Sequence, residues 1–160
     1  MYNVSMNLIR NICSLLFTVA LISCSPVQSG SSSDSKENED EIISQQAILW
    51  DDCLSQEEDR YLVFFHSSTC NQCHEIMGDV VSFAKSNITK TYFLNIDNQM
   101  DKVRTCSRED LTIGAESVDD LAILGTPTII EVEDGMTIAN VPGKDMCLTF
   151  LNEQRTKYAS

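Results

Sequence analysis

Apolar residues recur at regular spacing from Ile42 onward, and this marks the predicted start of the folded part of the chain. Apolar positions at roughly helical spacing predict a first helix from Ser44 to Glu57. Tyr61 to His66 form a continuous apolar run, which is typical of a strand buried on both faces. The later patterns predict a helix Cys70–Ser86, a strand Thr91–Ile96, a short helix Ser117–Leu124, strands Thr128–Val132 and Met136–Val141, and a closing helix from Lys144 to about Lys157.

These elements alternate as α, β, α, β, α, and end with a β-hairpin and a helix. Helices between consecutive strands predict parallel β-α-β units, whereas the turn at Glu133-Asp134-Gly135 predicts an antiparallel pair. We therefore expect an α/β domain over residues 42–160, with a central mixed β-sheet flanked by helices on both faces. An apolar content of 42% is enough to build its core.

The N-terminal part of the chain has a different pattern. Arg10 precedes an apolar stretch from Ile12 to Ile22, which is too short to span a bilayer and has the length of a signal-peptide core. The sequence Leu21-Ile22-Ser23-Cys24 resembles the bacterial lipoprotein signal. The resemblance implies that residues 1–23 are removed and that Cys24 receives a lipid anchor. An ordinary signal peptide is the alternative.

A polar, Ser-rich and acidic segment, Ser25 to Glu41, follows Cys24. It contains almost no apolar residue that could offset the entropy of ordering, so we expect residues 24–41 to be a flexible linker. Such a linker would hold the domain near a membrane surface. These features predict an extracytoplasmic, lipid-anchored protein of the bacterial cell envelope, on the periplasmic face if the cell is Gram-negative.

The formal net charge is −13. A chain this acidic repels the phosphate backbone, and nucleic-acid binding is therefore excluded from the predicted functions. The chain also contains seven cysteines, which suits an exported or a redox protein better than an ordinary cytosolic one.

Two of these cysteines form the motif Cys70-Asn71-Gln72-Cys73 between the apolar run and the predicted second helix. The two-residue spacing lets both sulfurs meet across one helical turn. The first sulfur then lies at the helix N-terminus, where unpaired N–H groups favour the thiolate. The thiolate is the form that attacks disulfides, so the motif predicts a redox centre.

The predicted domain resembles the thioredoxin family over about Ser44 to Lys157. The resemblance is carried by the strand leading into the cysteine motif, by Gly125-Thr126-Pro127-Thr128, which fits the family's proline loop, and by the hairpin and helix joined at Gly143. It implies a protein-disulfide oxidoreductase with a cis Pro127. Cys70 would be the attacking cysteine and Cys73 the resolving one, while Thr126 would offer its backbone to the substrate.

The resemblance also implies protein dithiol or disulfide substrates, with no metal and no bound cofactor. A lipid-anchored protein that reduces substrates must be recharged, which predicts a membrane redox partner. A reducing direction is favoured on general similarity to thioredoxin, and the reduction potential would decide it. His74 follows Cys70 by one helical turn and is either a modulator of the thiolate or a solvated surface histidine. His66 is either a second titrating neighbour or a strand-end residue.

Two departures from the family pattern stand out. Phe64 occupies the position, six residues before the first cysteine, where well-known members carry a buried acid. About a dozen residues between Asp101 and Ala115 are also predicted to be inserted. The insertion carries Cys106, which together with Cys53 and Cys147 leaves three thiols that either form one disulfide or serve as small apolar side chains.

Three other functions match parts of the pattern. Cys70 to His74 fits the C-x-x-C-H attachment motif for c-type haem, although haem packing favours a helical domain. A structural zinc site would need two further ligands beside the motif. A non-catalytic binding module with this fold is the third alternative, and the presence of both motif cysteines argues against it.

Overall fold

The computed structural model of the chain describes residues 33–158, with side chains from residue 38 onward. Its elements are helix α1 (Ser33–Gln45), a 3-10 helix (Trp50–Asp52), strand β1 (Arg60–His66), helix α2 (Asn71–Lys85), strand β2 (Lys90–Asn95), a second 3-10 helix (Glu109–Thr112), strands β3 (Thr128–Glu133) and β4 (Met136–Pro142), and helix α3 (Lys144–Tyr158). Within this range no helix has the length and apolar character needed to cross a membrane. The predicted signal peptide, the predicted lipidation site Cys24 and the first part of the predicted linker lie outside the described residues.

The four strands form one mixed sheet in the order β2-β1-β3-β4. Strand β1 pairs in parallel with β2 and antiparallel with β3, and β3 pairs antiparallel with β4. This arrangement confirms the predicted α/β class and the predicted hairpin. Asp134 and Gly135 at the hairpin turn have φ angles of 51° and 77°, the positive values that a two-residue type I′ turn requires.

The central strand β1 buries both faces because its apolar residues run without interruption. Leu62 and Phe64 contact a cluster that includes residues of α1, α2 and α3 on one face. The alternate residues, such as Val63 and Phe65, contact a cluster on the other face that contains Trp50 of the 3-10 helix and residues of the predicted insertion and the turn after it. The three α-helices therefore share one face, whereas a short 3-10 helix and loops cover the face where the sequence predicted a second layer of helices.

The predicted first helix over Ser44–Glu57 is wrong. Helix α1 ends at Gln45 because the next residues pair with β2: the N–H of Phe93 donates to Gln46 O and the N–H of Ile48 donates to Phe93 O, both at 2.9 Å. The helix begins at Ser33, so the part of the predicted flexible linker from Ser33 to Glu41 is helical. Packing of Ile42 and Ile43 against the core supplies the stability that the polar sequence lacks.

The predicted helix Ser117–Leu124 is also wrong, since only a turn forms at its start. The backbone donors that would extend the helix bond elsewhere: Ala122 N–H donates to Thr112 Oγ1 at 2.7 Å, and Ile123 N–H donates to Arg104 O at 3.0 Å. Both acceptors, Thr112 and Arg104, belong to the predicted inserted segment. A tertiary partner has therefore outcompeted the local helix.

The inserted segment covers part of the edge strand β4. Gly114 N–H donates to Thr137 O at 2.7 Å, and Thr137 N–H donates to Ala115 O at 2.9 Å. Unpaired groups on a sheet edge invite pairing with another chain, and these bonds remove two of them. The insertion thus protects the edge next to the hairpin.

Candidate functional site

Cys70 and Cys73 lie where β1 passes into α2, and a disulfide joins them. Cys70 is the N-cap of α2: its backbone is extended, and its sulfur accepts a hydrogen bond from Cys73 N–H at 3.1 Å. Its carbonyl accepts the first helical bond, from His74 N–H at 3.2 Å. Donors at a helix start favour negative charge, so the reduced Cys70 sulfur is placed to be a stabilised thiolate.

The two sulfurs of the motif differ in their exposure. Cys70 is half-buried, whereas Cys73 is fully buried under the first turn of α2. The predicted helix from Cys70 to Ser86 is confirmed within one residue at each end. The helix therefore leaves one cysteine of the pair accessible and shields the other.

The loop between β1 and Cys70 is fixed by Asp97, which no sequence pattern marks as part of the site. Ser67 Oγ donates to Asp97 Oδ1 at 2.5 Å, and Ser68 N–H donates to Asp97 Oδ2 at 2.8 Å. These bonds favour the carboxylate and lower the pKa of Asp97 to about 2. The partners are about thirty residues apart in sequence, so no local pattern reveals them.

The Thr126–Pro127 peptide bond is cis, which confirms the prediction for this loop. Pro127 is buried and Thr126 half-buried. Thr128, the first residue of β3, pairs with Phe65 near the end of β1, and the loop therefore lies at the same end of the sheet as the cysteine motif.

Gly143 links the proline loop to the start of α3. Its N–H donates to Pro127 O at 2.7 Å, and its φ of 82° is one that other residues rarely adopt. Beyond it, Lys144 Nζ donates to Glu75 Oε2 of α2 at 2.6 Å. The hairpin, the proline loop and the cysteine helix are thus held together at one end of the sheet.

His66 is buried, with 9% of its surface exposed, and its ring stacks on Phe64 with centroids 5.8 Å apart. Burial lowers the pKa of His66, and the nearby His74 lowers it further, while Asp97 acts in the opposite direction. Burial therefore favours the neutral imidazole. Within residues 38–158 its ring has no hydrogen-bond partner.

His74 is exposed, and its Nε2 lies 2.9 Å from Ser68 O, to which it donates. This bond holds His74 against the loop before the motif. An effect of His74 on the Cys70 thiolate stays a prediction.

Phe64 is fully buried at the position that carries an acid in well-known family members. Among residues 38–158, the buried carboxylate is that of Glu131, which pairs opposite Leu62 on the neighbouring strand. Arg60 and Gln154 contact its oxygens. Glu131 is thus bound in an ion pair away from the cysteine end of β1.

The other three cysteines of the described part are free thiols. Cys53 and Cys147 are buried, and burial raises the pKa of both thiols, that of Cys147 to about 12. Cys106 is half-buried in the inserted segment. The structure therefore forms none of the three pairings among them, and Cys53 and Cys147 serve as small core side chains. Within the described residues, no three histidine, cysteine or acidic side chains are grouped to hold a metal ion.

The fold and the site together define a protein of the thiol–disulfide class: a mixed α/β sheet with a vicinal cysteine pair at a helix start and a cis-proline loop at the same sheet end. The family model for a thioredoxin-like domain matches residues 53–144, more than half of the chain. The chain belongs to the thioredoxin-like family.

Solved structures with a similar fold include thioredoxin f2 of Chlamydomonas reinhardtii, which is 16% identical, with a TM-score of 0.48, over 68% of this chain and 94% of that one. Mitochondrial thioredoxin 3 of Saccharomyces cerevisiae is 13% identical, with a TM-score of 0.46, over 76% and 88%. A thioredoxin-fold protein of Helicobacter pylori is 20% identical, with a TM-score of 0.46, over 81% and 84%. No curated protein matches the chain.

Proposed function

We propose that the protein is a thiol–disulfide oxidoreductase of the bacterial cell envelope that exchanges disulfides with protein substrates and acts as a reductant. The observation that carries the proposal is the disulfide-bonded pair at the start of α2, in which only Cys70 is accessible. A structural disulfide would gain nothing from an exposed sulfur at a helix N-terminus, whereas a nucleophile needs both features.

The reducing reaction proceeds in two exchanges. The Cys70 thiolate attacks one sulfur of the substrate disulfide, forms a mixed disulfide and releases the other substrate sulfur as a thiolate. Cys73, after losing its proton, attacks the Cys70 sulfur and releases the second substrate sulfur. Two electrons pass to the substrate, two protons are taken up there, and the Cys70–Cys73 disulfide remains for a membrane dithiol partner to reduce.

Thr126 and Pro127 are the proposed substrate-binding residues. Their loop lies at the cysteine end of the sheet, and the N–H of Gly143 fixes it by donating to the Pro127 carbonyl. Thr126 is half-buried, so part of it is open to an approaching polypeptide. An extended substrate segment would bond to its backbone as a further strand does.

The reduction potential of the Cys70–Cys73 pair tests the direction of the reaction. We expect a value closer to about −270 mV than to about −120 mV, because the former is typical of thioredoxin-type reductants and the latter of strong oxidants. Equilibration of the protein with glutathione buffers, followed by alkylation and mass analysis of the Cys70–Cys73 peptide, gives the value. A potential near −120 mV would contradict the reducing direction and leave the exchange activity intact.

The proposed location rests on the N-terminal sequence. Ile12 to Ile22 followed by Ser23-Cys24 supports a lipid anchor on Cys24. We expect cells that express the full chain to incorporate labelled palmitate into it and to retain it in the membrane fraction. The Cys24→Ala variant should lose the label and the membrane retention, while Cys13→Ala, which changes the predicted signal core instead, should keep both. Equal labelling of the Cys24→Ala variant would contradict the anchor.

A further inference from the structure

A cleft of about 380 Å³ lies beside the cysteine motif, between α1, α2 and the end of β1. Ser67 and Ser68 of the loop before Cys70 line one side, and Cys70 N–H donates to Ser67 O at 3.2 Å. His74 lines the cleft from one turn further along α2. The cleft therefore borders the motif directly.

Acidic and apolar side chains both line the cleft. Glu39 and Asp40 of α1 contribute two carboxylates, and neither forms an ion pair with another residue of the described part. Ile43 and Met77 contribute half-buried apolar side chains. No lysine or arginine is among the described residues that line it.

His66 provides an independent sign that the cleft takes a polar ligand. Nine-tenths of the residue is buried, its ring has no hydrogen-bond partner among residues 38–158, and it lines the cleft. Its ring nitrogens are not among the fully buried unpaired atoms of residues 38–158, so they remain accessible and can bond to a ligand in the cleft. A neutral imidazole offers one acceptor nitrogen and one N–H donor.

We propose that this acidic cleft receives a basic side chain, arginine or lysine, of the protein whose disulfide reacts with Cys70. The proposal rests on the function proposed above. A long basic side chain fits both parts of the cleft, because its alkyl stem packs on Ile43 and Met77 while its cation meets the carboxylates. The carboxylates and the imidazole acceptor complement a donor-only head group.

The place of the cleft sets the position of the basic residue in the substrate. One helical turn separates Cys70 from His74, a rise of about 5–6 Å. An extended chain advances about 3.3–3.6 Å per residue, so a basic residue about two positions from the reacting cysteine lies level with His74. Its long side chain lets a residue one or two positions further out reach the cleft as well. The protein therefore distinguishes substrates by a charge next to their disulfide.

The test compares peptides that contain one disulfide and differ only in carrying arginine or citrulline two, three or four residues to either side of a cysteine. Citrulline has nearly the shape of arginine without its charge. The full chain, reduced beforehand, should reduce the arginine peptide about threefold to fivefold faster at one or more of these positions, the size expected for a partly exposed ion pair. Rates are read by acid quenching and chromatography.

Two variants locate the effect. In Glu39→Gln with Asp40→Asn, the ratio of the two rates should fall to about one, with the citrulline rate unchanged. The matched control, Asp119→Asn with Asp120→Asn, removes the same charge from exposed acids of the distant turn and should keep the ratio. Loss of the preference in the control as well would overturn the cleft as its source.

Gly78→Lys gives a second route to the same answer. A Cβ at Gly78 would meet only Glu39 Oε1, at 3.8 Å, so a side chain fits there and places an ammonium in the cleft. The variant replaces a helical glycine and should fold, yet it should lose the arginine preference. If the unaltered chain reduced both peptides at equal rates, the proposed role of the cleft would be overturned and the oxidoreductase function would stand. If it reduced neither peptide, the oxidoreductase function would be overturned and this proposal with it.

Discussion

Replacing Cys70 by serine is expected to reduce the rate of disulfide exchange to that of the solution without protein. Cys70 is the accessible sulfur of the pair and accepts the N–H of Cys73, whereas Cys73 is buried and cannot reach a substrate disulfide. A serine hydroxyl has no thiolate form and cannot form the mixed disulfide. Turbidity from reduced insulin, driven by dithiothreitol, measures the rate.

The Cys73→Ser variant separates the two roles of the pair. It keeps the attacking sulfur and removes the one that resolves the mixed disulfide, so a Cys70–substrate adduct should accumulate and be visible on a non-reducing gel. Cys106→Ser is the matched control, since it removes the half-buried free thiol outside the motif and should leave the rate unchanged. Full activity of Cys70→Ser would instead favour a non-catalytic binding module.

Replacing Glu131 by leucine is expected to destabilise the domain by about 3 kcal/mol. The Glu131 side chain is 7% exposed and that of Arg60 20% exposed, and the two form an ion pair. Gln154 donates to Glu131 from Nε2 at 3.3 Å and accepts from Arg60 Nη2 at 2.9 Å. Removal of the carboxylate leaves the guanidinium poorly solvated and without its counter-charge. Urea unfolding of the oxidised protein gives the free energy.

Two further variants check that the loss comes from the unpaired charge. Glu116→Leu changes an exposed acid outside the sheet and should alter the free energy of unfolding by less than about 0.5 kcal/mol. Arg60→Met combined with Glu131→Leu removes both charges and should recover most of the loss, since apolar pairs often replace buried ion pairs without cost. An unchanged urea midpoint for Glu131→Leu alone would show that the pair contributes nothing.

The apolar neighbours of Phe64 explain how the domain accommodates a phenylalanine at this position. With Phe64 packed against Phe93 and stacked on His66, the region beneath the cysteines is apolar. The buried carboxylate of this sheet face lies further down, opposite Leu62, where Arg60 neutralises it. Acid and cysteine pair are thus separated along the sheet.

Local sequence determined the elements whose signals are strong and short-range. The apolar run of β1, the cysteine motif at the start of α2, the Asp134-Gly135 turn and the closing helix α3 all lie where the pattern predicts them. In each case burial or turn geometry over a few neighbouring residues fixes the backbone. The sequence by itself therefore determined the fold class and the position of the redox pair.

Tertiary contacts decided the parts where local signals were weak or competed with distant partners. Residues 46–48 pair with β2 and end α1 before the predicted helix, and Thr112 takes the backbone donor of Ala122 that a helix would have used. The acidic cleft arises because the polar helix α1 packs beside α2, and no pattern within α1 reveals this. Propensity acts over one or two turns, whereas these bonds join residues that meet only after the chain has folded.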